Sequence, residues 1–315
     1  MTKNNIVLTL LISLIFSACA TYSTRFKAEV EQGIFPTSKE VESTFYLIGD
    51  AGDAELGEST VGLELFRSYL KTENTKGTFA IFLGDNIYPI GMPPKSDAGR
   101  ALAQHRLDAQ VESLTEFEGK AIFIPGNHDW YNEGLTGLNR EQDYLREITL
   151  NEDIFLPKDG CPLLSYDIND EVHMIILDTQ WYLEDWDKNP EINTKCDNIK
   201  DREKFFIELE GEIKKNQQKT LVVVMHHPMY TNGVHGGKFA IDKHLYPSQQ
   251  KIPLPLLASL VTQIRTQGGV SKQDRFNEKY NELMKRIRVL GQGSPKLIFA
   301  SGHEHGLQYI EHEEV

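Results

Sequence analysis

Five short apolar runs in this chain of 315 residues each lead into residues that bind metal cations well. Residues 44–48 end at Gly49-Asp50, 79–83 at Gly84-Asp85 and 121–124 at Pro125-Gly126-Asn127-His128. Residues 221–225 end at His226-His227-Pro228, and 297–300 run on to Gly302-His303. A single Gly-Asp or Gly-Asn is no more than a good turn. Five together, with histidines that turns do not require, gather oxygen and imidazole donors. Carboxylate and amide oxygens suit hard cations, and imidazole suits first-row transition metals. Two such ions, about 3.5 Å apart, need a bridging anion and activate water for attack on an ester. Asp85 is the candidate bridge, and Asn127 offers a neutral oxygen. Asp50 and His226 add one donor each, and His303 and His305 stand at i and i+2. Tyr88, three residues after Asp85, reaches the same centre. Its phenolate would be a strong donor and would favour a trivalent ion such as Fe(III).

The elements that must hold these residues follow from the apolar patterns. Short continuous apolar runs fit strands buried on both faces. Residues 164–179 suggest two more strands around a turn at Asn169-Asp170. Helical spacing appears over 60–71, 98–117 and 201–216. Strands alternating with helices predict a layered α/β fold. In such sheets functional groups collect at the carboxyl ends of strands, which is where the candidates lie.

Composition narrows the function classes. Hydrophobic content of 40% and charged content of 25% are ordinary for a globular chain. A net charge of −13 argues against a nucleic-acid binder that relies on a globally basic surface. It leaves phosphate chemistry open, because bound cations would dominate the local field. At the start, Lys3 and the apolar run 6–16 are too short to span a bilayer and fit a signal peptide. Phe16-Ser17-Ala18-Cys19 resembles a bacterial lipobox, with a plain secretory signal as the alternative. The expected layout is a lipoprotein signal over 1–18, lipidation at Cys19, a polar tether over 19–42 and a folded domain over 43–315. Removing residues 1–18 takes away one positive charge and leaves −14. An exported, lipid-anchored chain would sit in the cell envelope, where Cys161 and Cys196 can form a disulfide or stay apart as thiols.

As a set, Gly49-Asp50, Gly84-Asp85 with Tyr88, Gly126-Asn127-His128-Asp129, His226-His227-Pro228 and Gly302-His303-Glu304-His305 resemble the signature blocks of the calcineurin-like metallophosphoesterases. Tyr88 resembles the mark of the purple acid phosphatase branch. His235, nine residues after His226, and Gly306 to Tyr309 resemble its small tartrate-resistant type. The resemblance covers about residues 44–310. It implies a four-layer sandwich of two mixed β-sheets flanked by helices. It also implies that Asp50, Asp85, Tyr88 and His305 hold Fe(III), while Asp85, Asn127, His226 and His303 hold a divalent Fe, Zn or Mn ion. His128 and His235 would face the substrate, a phosphorylated small molecule, with His235 protonating the leaving group.

Neighbouring residues carry their own expectations. Asp53 fits a helix N-terminus better than a ligand, His227 fits a structural role, and Asp129 fits a hydrogen bond supporting a histidine. Trp130, Tyr131, Trp181 and Trp186 either line a cleft or fill the core, with core expected. An insertion over about 236–290 is basic. Its stretch 235–290 has ten Lys or Arg against four Asp or Glu, with an apolar part at 252–264 and a basic amphipathic helix expected over 274–290. It reads either as a lid or headgroup-facing surface for anions, or as a packed insertion with a solvated basic face. Only ten residues follow His305, which leaves room for a truncated chain with a further C-terminal module. The functional expectation is phosphate monoester hydrolysis. The alternatives are a diesterase or nucleotide pyrophosphatase, and a non-catalytic envelope metal-binding protein.

Overall fold

The computed structural model describes residues 41–72, 77–189, 191–247 and 252–311. Signal peptide, Cys19 and nearly all of the tether lie outside them, as does His312. The chain divides into two compact units. The described part of one is Tyr230–Glu282; the other holds Pro36–Met229 and Leu283–Val315.

The larger unit is built on two sheets. β1 (Thr44–Ile48), β2 (Thr78–Phe82) and β3 (Lys120–Phe123) form a three-stranded sheet in that order, parallel throughout. β4 (Leu163–Asp167), β5 (Val172–Leu177), β6 (Thr220–Met225) and β7 (Leu297–Ala300) form the second. Only the β4–β5 pair, the hairpin expected around Asn169, is antiparallel, so this sheet is mixed. Side chains alternate across a strand. Phe79, Ile81 and Leu83 therefore share one core with Ile122, Ile124, Met174, Ile176, Val222 and Val224. On the opposite face of the first sheet, Phe82 stacks on Phe123 at 4.1 Å and meets Phe66 of α1 (Val61–Thr72) edge-on at 5.7 Å. Helices thus flank the sheets, as the α/β reading requires.

Burial on both faces holds for β2 but not for every run. β1 and β7 are outer strands, and Leu47 and Ile298 are exposed. Helix α2 (Arg100–Glu112) is shorter than its apolar spacing suggests. The chain turns at Ser113, whose hydroxyl bonds back to the Gln110 carbonyl. A four-residue turn, α3 (Asn127–Trp130), precedes α4 (Leu135–Thr149). The sequence expectation omits α4. Glu141 and Gln142 lie on its buried face and interrupt the apolar stripe of Leu135, Leu138 and Leu145. α5 (Thr179–Leu183) follows β5, capped by the Asp178 carboxylate on the Trp181 N–H. α6 (Arg202–Lys215) buries Phe205, Phe206, Leu209 and Ile213. Cys161 and Cys196 are joined, with Cα atoms 5.5 Å apart, so the pairing left open by the sequence is formed.

The smaller unit carries α7 (Ile241–Leu245) and α8 (Pro255–Gln267), the latter opened by a proline whose missing N–H costs nothing there. α9 (Glu278–Gly291) starts later than the basic pattern from Asp274 suggests. Asp274 stays outside the helix, accepting from Arg265 Nη2 at 2.7 Å and lying 2.8 Å from His235 Nδ1. No described helix is long and apolar enough to cross a membrane.

Candidate metal centre

The strand ends approach so closely that only glycine fits between some of them. Gly84 sits at φ +88°, and a Cβ there would lie 2.6 Å from the Gly126 nitrogen and 2.8 Å from His226 Nδ1. A Cβ on Gly126 would come 2.2 Å from the Asp85 nitrogen. These contacts bring the loops after β2, β3 and β6 into one place. Four candidate ligands also adopt left-handed backbone: Asp50 (57°), Asp85 (56°), His303 (72°) and His305 (49°). Such conformations are uncommon outside glycine and cluster at functional sites.

All seven ligand candidates connect to one another in one network of contacts. Tyr88 Oη lies 3.1 Å from Asp50 Oδ1, 3.0 Å from Asp85 Oδ2 and 2.8 Å from His305 Nε2. His226 Nε2 lies 3.0 Å from Asn127 Oδ1, 3.1 Å from His303 Nδ1 and 3.4 Å from Asp85 Oδ2. Asp85 belongs to both groups, and the His303 N–H donates to Asp50 Oδ1 at 3.1 Å. His305 Nε2 stands 3.6 Å from Asp50 Oδ1. Ligand atoms of Asp50, Asp85 and His226 fall within 4.8 Å of one another, and so do those of His226, His227 and His303.

The donor chemistry fits cations. His226 gives Nδ1–H to the Leu83 carbonyl at 2.8 Å, which turns the Nε2 lone pair toward the Asn127 and Asp85 oxygens. Both of those oxygens are acceptors, a conflict that a proton or a bound cation on Nε2 resolves. Burial alone would lower the His226 pKa, but the Asp85 and Asp50 carboxylates and the Leu83 carbonyl lift it to about 9. Burial would raise the Asp85 carboxyl, yet the His226 and His128 imidazoles hold it well below the usual range. On the other side, the one Tyr88 proton cannot serve both carboxylates. Burial and then the Asp85 and Asp50 charges push the phenol far above its ordinary pKa. It ionises only against a strong cation.

Around the centre, several expectations change. His128 donates its N–H to Asp85 Oδ1 at 2.8 Å, and its Nδ1 meets the Pro89 carbonyl. Asp129 supports no histidine among its described bonds. Its carboxylate accepts from the backbone N–H of Asp85, Asn86, Ile87 and Gly126. It therefore fixes the loop that carries Asp85 and Tyr88. Asn86 also donates to Glu141 at 3.1 Å, a buried residue outside every sequence block. Asp53 caps no helix; it pairs with Arg106 at 3.1 Å. His227 is buried, bonded through Nδ1 to Thr179 Oγ1 at 2.7 Å, with its ring 4.6 Å from that of His303. Trp130 and Trp181 are core, whereas Tyr131 is exposed beside Asn127 and His128. His235 belongs to the smaller unit. Among described residues, Asn127 Nδ2 to Tyr131 Oη is the contact least foreseeable from spacing, since Trp130 beside it points into the core.

Residues 43–307 match the sequence family described as Calcineurin-like phosphoesterase. No curated protein gives a significant match.

Proposed function

Because the chain belongs to the calcineurin-like phosphoesterases, metal-dependent hydrolases that typically hold two ions, we propose that it is a phosphate monoesterase of the purple acid phosphatase kind. The observation that carries the narrower reading is the Tyr88 phenol, set between Asp50, Asp85 and His305. Asp50, Asp85, Tyr88 and His305 would hold Fe(III); Asp85, Asn127, His226 and His303 would hold a divalent Fe, Zn or Mn ion. Bound there, the ions supply a nucleophile from water at neutral pH and neutralise charge on the phosphoryl oxygens.

The chain's own groups do the rest. Asp85 is held between both groups of donors by the His128 N–H. With His128 Nδ1 occupied by the Pro89 carbonyl, Nε2 is the nitrogen that faces the phosphoryl group. His235 Nδ1 is oriented by Asp274, which Arg265 braces. Its Nε2–H would pass to the leaving alkoxide, giving the alcohol and a neutral imidazole. Neither Cys161 nor Cys196 serves as a nucleophile, since they bond to each other.

The lipobox-like Phe16 to Cys19 and the disulfide support an exported chain anchored by lipid at the cell envelope, with the domain over 43–315 and its insertion near 236–290. Replacing Cys19 with Ala should release the protein from the membrane fraction. For the activity, metal analysis and a visible spectrum are the decisive pair. An Fe(III)–phenolate band that disappears in Tyr88→Phe is expected. A colourless protein that holds only Zn or Mn would sink the iron reading. Faster turnover of bis-p-nitrophenyl phosphate than of p-nitrophenyl phosphate would sink the monoester reading.

A further inference from the structure

Tyr131 and Trp130 are adjacent, yet they point into different surroundings. Trp130 is buried and donates its indole N–H to Asp178 at 3.0 Å, which anchors the end of α3. Tyr131 at the C-cap of that turn is instead 42% exposed. Its ring meets the His128 ring with centroids 4.9 Å apart, tilted by 58°. The His128 ring in turn lies 4.4 Å from that of Tyr88. Three rings therefore run in a row, from a phenol beside Asp50 and Asp85 to an aromatic face open to solvent.

The Tyr131 hydroxyl has a separate task. It accepts from Asn127 Nδ2 at 2.8 Å, while Asn127 Oδ1 faces His226 Nε2 at 3.0 Å. An amide turned the other way would accept from the Tyr131 O–H instead and aim N–H groups at the centre. Tyr131 thus holds the Asn127 side chain in place beside the candidate ligands.

We propose that Tyr131 is a specificity-determining residue of this phosphoesterase. Its exposed ring, continuous with His128, forms a wall on which the planar aromatic leaving group of a phosphate ester lies. This inference rests on the reading that substrate binds beside His128. The substrates favoured are aryl phosphate esters over alkyl ones. An aromatic contact of this kind corresponds to a preference of about 3- to 10-fold.

Titration calorimetry of the full-length, metal-loaded protein with phenylphosphonate and with methylphosphonate tests this without turnover. Wild type should bind phenylphosphonate about 3- to 10-fold more tightly. Tyr131→Ala should bind the two alike. Tyr131→Phe should keep the preference, since it keeps the ring, while losing metal more readily to a chelator because Asn127 is no longer held. A loss of fold would abolish binding of both ligands and show in the far-ultraviolet circular dichroism, whereas the loss expected here falls on phenylphosphonate alone in a folded protein. Equal binding by wild type, binding of neither phosphonate, or an undiminished preference in Tyr131→Ala would overturn the proposal. An aryl preference in a protein that hydrolyses no phosphate monoester would retire the proposed activity and leave this inference standing.

Discussion

The two sides of the candidate centre are built differently. Asn127, His226 and His303 are buried, and Asp85, shared with the other side, is buried as well. Three of the four are braced from behind: His226 by the Leu83 carbonyl, Asn127 by Tyr131, Asp85 by the His128 N–H. On the other side, Asp50 and Tyr88 are half-buried, and the His305 side chain is 62% exposed. There the geometry hangs on one phenol oxygen that touches three partners. The buried side is organised by protein packing, and the open side by Tyr88 and whatever charge it meets. Preorganisation of this kind fixes a ligand's direction before any ion arrives. The open side leaves room for a substrate to approach.

The comparison is broken most directly by truncating one ligand on each side. His226→Ala should lose more than about 100-fold in activity, because even groups one step removed from a metal cost 10- to 100-fold. It should also bind less metal, measured by equilibrium dialysis and elemental analysis. Undiminished metal content in His226→Ala would refute the view that the buried side is the principal holder.

The scaffold beneath comes next in size. Asp129 accepts four backbone N–H groups from two loops, and Asn86 bridges it to Glu141. In Asp129→Ala those donors stay buried without a partner. The expected loss is about 3–5 kcal/mol of stability in urea unfolding, the upper end for a single substitution. A loss below about 1 kcal/mol would mean that the loop carrying Asp85 and Tyr88 holds itself.

These two predictions also mark where the sequence was legible. Five of the ligand candidates were readable because each stands just past an apolar run, and strand ends of a parallel sheet converge; Tyr88 and His305 were readable from their spacing to Asp85 and His303. The scaffold was not readable. Asp129 sits within a block, but its partners are backbone groups, which sequence does not distinguish. Glu141 lies in a helix whose apolar stripe it interrupts, so the signal that would reveal the helix is erased by the residue that matters. Asp53 looked like a helix start because Arg106, its partner, is 53 residues away. Tyr131 and Trp130 look alike in sequence, and only the turn of α3 separates a core ring from an exposed one.

A smaller effect is expected on the open side. His305→Ala removes a donor already in contact with solvent, and Tyr88 keeps both carboxylates as neighbours. Activity should fall by about 10-fold, at the low end of what even indirect metal contacts carry. Total metal content should change little, and any Fe(III)–phenolate band should shift without vanishing. Equal losses in His226→Ala and His305→Ala would erase the distinction between the sides.

A further effect concerns Asp178, the partner of the Trp130 indole, and appears only as a slope with pH. Asp178 is fully buried, accepting from the Trp181 N–H and from the Trp130 indole beside Asn127. Burial raises its pKa to about 7, against the hydrogen bonds that oppose the shift. The unfolded chain releases this proton near pH 4, whereas the folded chain keeps it to about 7. The folded state therefore binds more protons in that window, and stability falls as pH rises through it, by up to about 1.4 kcal/mol per unit. Burial shifts Asp129 and Glu141 in the same direction, so wild type alone cannot isolate Asp178. The difference between wild type and Asp178→Asn can. Urea midpoints from pH 4.5 to 7.5 should converge at the acid end, with the variant gaining on wild type as pH rises. Parallel curves would show that Asp178 keeps its charge in the fold, held by the two N–H groups that reach it.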